Sequence, residues 1–141
     1  MSSVRGAARI VVAVFIGLCS VSAKTDDAAV ASRCTSFDSA LAAATANVAS
    51  PEGQLYDHDV GVAFGQQFVA TMQRCTAGVA DAELGAFDLL FRVARDGSVE
   101  ETLARPDTRV AQCVRRDVER GRFPAPARAS YWVRIELSVT P

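Results

Sequence analysis

The side chains that could do chemistry are few and far apart. They are four cysteines, Cys19, Cys34, Cys75 and Cys113, and one histidine, His58, set between Asp57 and Asp59. A metal centre needs three or four ligands converging on one ion, and neither a helical nor a strand repeat brings three consecutive side chains together. The triplet reads instead as the solvated start of a helix, with carboxylates near the positive end of its dipole. Cys34 and His58 could in principle form a nucleophile and base, but nothing in the chain places them together. There is no nucleophile elbow, phosphate loop, dinucleotide fingerprint or zinc spacing. The expectation is a protein without catalytic residues, metal or cofactor. A small hydrolase or a thiol redox protein acting through Cys34 is the weaker alternative, because it would need a low-pKa thiol there.

The cysteines carry more weight once their compartment is known. Arg5 and Arg9 precede an apolar run, Ile10 to Cys19, and Val21, Ser22 and Ala23 offer small residues at a cleavage point before Lys24. Residues 1–23 read as a secretory signal peptide. The run is shorter than the roughly 20 residues a membrane-spanning helix needs, so retention as an anchor is the lesser reading. Cleavage removes two of the 15 basic side chains and leaves 13 against 16 acidic ones, a formal charge of −3. The arginines are interspersed with carboxylates and few aromatics accompany them, so no nucleic-acid footprint is present. Export also puts Cys34, Cys75 and Cys113 in an oxidising compartment, where three thiols can make one bridge with one left over. Spacing alone does not choose the pair.

The elements that must position these groups follow from periodicity. A chain of 141 residues, half of them apolar, has room for one core. After a polar lead, Lys24 to Ala31, a first helix is expected with Thr35 as cap and Phe37, Leu41, Ala44 and Val48 along one face. Its alanine-rich middle suggests a peripheral position, and Ser50-Pro51-Glu52-Gly53 reads as its break. A second helix is expected from about Asp59 to Ala77, with Phe64, Phe68, Met72 and Cys75 on its apolar stripe and Gly78 at its end. Gly61 and Gly65 weaken its first turns.

Strands come next. Phe87, Leu89, Phe91 and Val93 alternate with the residues between them, and Arg95-Asp96-Gly97 forms a turn. A three-residue loop pairs Ala94 with Ser98, Val93 with Val99, Arg92 with Glu100 and Leu89 with Leu103. That register sets Glu101 across from Phe91 on the buried face, an awkward place for a carboxylate. Pro106 ends the second strand. Asp107 or Thr108 then caps a helix with Val110, Cys113, Val114 and Val118 inward and Gly121 as its stop. The last segment, Tyr131, Val133, Ile135, Leu137 and Val139 alternating with Trp132, Arg134, Glu136 and Ser138, is the clearest strand pattern in the chain.

The order of these features resembles a known family. A helix with an inward cysteine, the hairpin "FDLLFRVARDGSVEE", the cysteine-bearing helix of "RVAQCVRRDVERGRFPAP" and a final alternating strand are together similar to the TonB C-terminal-like domain. They are closest to its cysteine-bearing form at the C-terminus of bacterial AgmX/PglI-type proteins. The similarity covers about residues 60–140, and it divides the chain into a signal peptide (1–23), a lead with the N-terminal helix (24–53) and the domain proper (54–141). It implies an α+β fold: a small antiparallel sheet of about three strands with two helices on one face. It also implies that Cys75 and Cys113 are disulfide partners, leaving Cys34 free or intermolecular. Both cysteines lie on apolar stripes, and closing that loop would stabilise the fold by about 4 kcal/mol in the chain-entropy model. Two reduced, buried thiols are the alternative.

The chain lacks TonB's uncleaved membrane helix and long proline-rich segment, so energy transduction is not implied. What the similarity does imply is strand addition, in which a partner segment pairs with a sheet edge of the kind the final strand could offer. The expected partner is another envelope protein, met in the periplasm or outside the cell with no membrane span. Trp132, Arg134 and Glu136 share the outer face of the last strand. They are read as candidate partner-binding residues, with Trp132 either an exposed anchor or a lid over the sheet. A homodimer through strand pairing or through Cys34 is also compatible, as is a disulfide-stabilised accessory protein that uses Cys34 as a crosslink.

Overall fold

The computed structural model describes residues 35–140. The expected signal peptide, the expected polar lead and Cys34 lie outside the described residues. Three helices, α1 (Phe37–Asn47), α2 (Pro51–Thr76) and α3 (Arg109–Val118), accompany three strands, β1 (Ala86–Val93), β2 (Val99–Arg105) and β3 (Tyr131–Ser138). The strands form one antiparallel sheet in the order β2-β1-β3, so the fold is α+β.

The central strand is apolar on both faces, which is what a strand covered from both sides requires. Phe87, Leu89, Phe91 and Val93 point to one side and join Val60, Phe64, Phe68 and Cys75 of α2 and Val110, Val114 and Val118 of α3 in the main core. Leu90 points to the other side and meets Trp132 and the buried Ala40 and Ala44 of α1. Two helices therefore cover one face, as expected, and a third covers the other. The expected peripheral position of α1 is corrected: its alanines have no bulk to hold the helix away, so it presses directly on Leu90 and Trp132. Ser36, not Thr35, caps it, accepting a bond from the Ser39 amide at 3.2 Å. The Thr35 hydroxyl instead donates to Glu101 at 3.1 Å.

The second helix begins eight residues earlier than its stripe suggested. Ser50 accepts from the Gly53 amide at 3.1 Å, and Pro51 takes the first position of the helix, where its missing N–H costs nothing. What reads as a break between helices is thus the start of α2, and a domain boundary at residues 53 and 54 would fall inside that helix. Gly61 and Gly65 are exposed, and the cost of each, up to about 1 kcal/mol against alanine, is carried by the packing of Val60, Phe64 and Phe68 on the opposite side.

The hairpin holds a second correction. Ala94 donates to the Ser98 carbonyl at 2.8 Å and Val93 faces Val99, but a β-bulge follows between Arg92 and Val93. Beyond it each partner moves by one: Arg92 faces Glu101, Phe91 faces Thr102 and Leu90 faces Leu103. The extra residue has a clear consequence, because a carboxylate opposite Phe91 would be buried without a partner. The bulge turns Glu101 to the other face, 3.4 Å from Arg92, and Glu100 approaches the same guanidinium at 3.1 Å. Thr102 takes the buried place and donates its hydroxyl to Glu119 at 2.7 Å.

The "FPAP" segment locks hairpin to helices. Phe123 is buried between Phe68 and Phe91, with ring centroids 6.0 and 4.7 Å away, and its amide donates to the Gly97 carbonyl at 2.9 Å. Pro124 accepts from the Tyr56 hydroxyl at 2.8 Å.

Candidate functional site

Cys75 and Cys113 form a disulfide, with Cα atoms 5.7 Å apart, tying the last turn of α2 to the middle of α3. Its neighbourhood is structural: Thr71 donates to Asp117 at 2.7 Å, and Arg74 pairs with the same carboxylate. The Thr71 hydroxyl, then Arg74, hold the Asp117 carboxyl below the usual carboxylate range.

His58 projects into solvent from α2, and the carboxylates of Asp57 and Asp59 leave the helix in other directions. Among the described residues no three His, Cys, Asp or Glu side chains converge as metal ligands would. An open hollow of about 440 Å³ lies between Leu84, Ala86, Pro106 and the first turn of α3, and another of about 410 Å³ lies between Tyr56, Arg128 and Tyr131. The first is also lined by Glu83 and Thr108 and the second by Ser50 and Glu52, but the Thr108 and Ser50 hydroxyls are engaged as helix caps by the Ala111 and Gly53 amides.

What the fold does present is a strand edge. Backbone directions alternate along a strand, and two bonds set the phase here. Ala94 donates toward β2, and Val139 donates to Gly85 at 3.2 Å across the β1–β3 side. The backbone groups of Tyr131, Val133, Ile135 and Leu137 therefore face β1, and those of Trp132, Arg134, Glu136 and Ser138 face outward. The outward carbonyl of Trp132 is taken, because Asn47 at the end of α1 donates its side-chain amide to it at 2.9 Å. Among the described residues nothing bonds the outward backbone groups of Arg134, Glu136 and Ser138.

The three side chains singled out on β3 separate into two kinds. Trp132 is only 7% exposed, covered by α1 and flanked by Arg92, 5.7 Å from its ring centroid. Of its two readings, exposed anchor or lid over the sheet, the lid is the one that holds, because a helix that sequence placed at the periphery lies on top of it. Arg134 and Glu136 are exposed. Arg134 reaches back to Asp88 on β1 at 2.7 Å and along its own strand to Glu136 at 3.5 Å. On the opposite face Ile135, Leu137 and Val139 are only partly buried, so the edge carries charge on one side and apolar surface on the other.

The other edge is less accessible. At β2 the bulge, the clustered Glu100 and Glu101, and the bridge between Ser98 and Arg122 interrupt the ladder a new strand would need. The similarity pointed to the last strand as such an edge, and the strand order, with β1 between β3 and β2, makes it one. Asn47 and Asp88, which shape the free edge, carried no local signal at all.

No protein-family model, curated protein or solved structure matches this chain.

Proposed function

We propose that this chain is an exported, non-catalytic interaction domain of the TonB C-terminal-like kind that binds a cell-envelope partner by strand addition at the outer edge of β3. The observation that carries this reading is the row of outward backbone groups at Arg134, Glu136 and Ser138, beside a strand end whose neighbouring carbonyl is already capped. An incoming extended segment would gain main-chain hydrogen bonds there, with Ile135 and Leu137 selecting apolar side chains on one face and Arg134 and Glu136 selecting charged ones on the other. The Cys75–Cys113 bridge and the leader pattern in residues 1–23 support placing it in the periplasm or outside the cell. Among the described residues no helix is long and apolar enough to cross a membrane.

The test is site-specific photo-crosslinking in the envelope of the producing cell. A photoreactive residue at position 136 is expected to give one discrete adduct, whereas the same residue at position 62, on the exposed face of α2, is not. The adduct should disappear when Ser138→Pro removes an outward N–H. Equal labelling from both positions, or none from 136, would overturn the reading.

A further inference from the structure

The large apolar side chains left exposed among the described residues all belong to one helix. Leu55, Val62 and Val69 of α2 are 68%, 48% and 58% exposed, and they stand seven residues apart. At that spacing they form one stripe, on the side of α2 opposite the buried Val60, Phe64 and Phe68. The rest of the stripe is His58, Gln66 and Gln73, with no Asp, Glu, Lys or Arg among them. A helix face that meets only water ordinarily carries charge. Gly61 and Gly65 lie on one flank of the stripe. A Cβ on either would meet nothing within 4 Å, and neither has a positive φ. Nothing within the chain calls for glycine at these positions, and each weakens the helix relative to alanine.

We infer that the stripe is the contact between two copies of this chain, their α2 helices packed antiparallel about a twofold axis at Val62. The contact is separate from the β3 edge and does not rest on the reading of that edge.

In this register Leu55 of each copy meets Val69 of the other, and Val62 meets Val62. A shift of one seven-residue step in either direction leaves Leu55 or Val69 without its apolar counterpart on α2. Charge sets the direction. Glu52 stands in the first turn of α2 and Arg74 in the last, on the flank away from the glycines, so each Glu52 comes beside Arg74 of the other copy. Arg74 is 60% exposed even while paired with Asp117, and its five N–H donors leave some for a second carboxylate. Parallel helices would put Glu52 and Arg74 at opposite ends and align the two dipoles unfavourably. On the glycine flank no side chain holds the backbones apart, and His58 of each copy fills the space over Gly65 of the other. Seven-residue spacing drifts by about 20° per step on a straight helix, which two such stripes accommodate by crossing at about that angle.

The contact is isologous and closes at two copies. From Leu55 to Val69 it runs along about 21 Å of helix, which places it among small, concentration-dependent interfaces. The stripe points away from the sheet, so the β3 edge of each copy stays open, and a dimer offers an envelope partner two such edges at once.

The test uses the full exported chain with Cys34→Ser, so that Cys34 contributes no crosslink. Under mild oxidation Val62→Cys should couple to its own kind in high yield. Leu55→Cys and Val69→Cys should stay uncoupled when apart and couple to each other when mixed. In sedimentation velocity the Cys34→Ser chain should pass from monomer to dimer as concentration rises, and Val62→Arg should remain monomeric. Gly65→Leu should raise the urea midpoint, since leucine favours the helix, and yet lose the dimer. A chain that stays monomeric at every concentration would overturn the inference. So would a dimer indifferent to Val62→Arg or Gly65→Leu, a Gly65→Leu chain of lower midpoint, or Leu55→Cys coupling to itself as parallel helices require. The bulky photoreactive side chain at position 62 would stand on the axis in both copies and hold the helices apart, so that position stays blank in the envelope crosslinking. A monomeric chain that still gives the photo-adduct at 136 would remove this contact and leave the strand-addition reading standing.

Discussion

Gly53 shows how much of this fold turns on single atoms. A Cβ there would lie 1.8 Å from the Asn47 carbonyl oxygen and 3.0 Å from the Tyr131 hydroxyl, where α1 hands over to α2 against the start of β3. Gly53→Ala is therefore expected to destabilise the protein by more than about 2 kcal/mol, read as a lower urea midpoint. A wild-type midpoint would mean that the two helices can separate there without cost. Asp117 gives a pH-dependent counterpart. Its folded pKa is lowered by Thr71 and Arg74, so its contribution to stability is present above the unfolded value of about 3.9 and is lost as pH falls through the folded value. Asp57 has the opposite sign: burial raises its carboxyl, so its contribution is present below the unfolded value and is lost as pH rises through the folded one. Asp117→Asn should be less stable than the parent at neutral pH and converge with it in acid, whereas Asp57→Asn should not be destabilised at neutral pH. Urea titrations of the two variants across pH decide this, and an Asp117→Asn variant unchanged at neutral pH would refute it. Both aspartates are plain in sequence, but only their neighbours, drawn from other elements, give them opposite signs.

Among the elements, the α2–α3 pair is the best determined from sequence and the α1–sheet contact the least. The stripes of Phe64, Phe68 and Cys75 and of Val110, Cys113, Val114 and Val118 are legible because each helix buries one face against the same side of a sheet. The disulfide joins them across 38 residues of chain. Replacing both cysteines by serine is expected to cost about 4 kcal/mol in the chain-entropy model, with a matching fall in melting temperature when the parent is reduced. A reduced parent that melts with the oxidised one would show that helix packing alone holds this layer. The α1 contact resists the same treatment because alanine reads as weak. Its value here is in what it lacks, since a small side chain permits close approach to Trp132 and Leu90. Trp132→Ala is accordingly expected to destabilise the fold by about 3–5 kcal/mol, the range for emptying a large aromatic from a core. An exposed anchor would leave stability unchanged and affect only binding, so denaturation alone separates the two roles.

At the scale of the whole molecule the open question is what meets the free edge of β3. Strand order decides that β3 is an edge at all, because β1 lies between it and β2. The bulge and charge cluster on β2 leave β3 as the longer uninterrupted ladder, and Asn47 shortens it from one end. These features together predict that exchange of the Arg134, Glu136 and Ser138 amides is fast in the isolated chain and slows on association with a strand-adding partner. Unchanged exchange in a demonstrated complex would place the interface elsewhere. By itself, the sequence determined the α+β class, the alternating faces of β1 and β3, and the apolar stripes that carry Cys75 and Cys113, because these follow from local period and from which side chains avoid water. Tertiary structure alone decided the burial of Trp132, the one-residue shift that rescues Glu101 and the capping of one end of the β3 edge by Asn47. Each of these depends on which distant segment arrives opposite, and no local period records that.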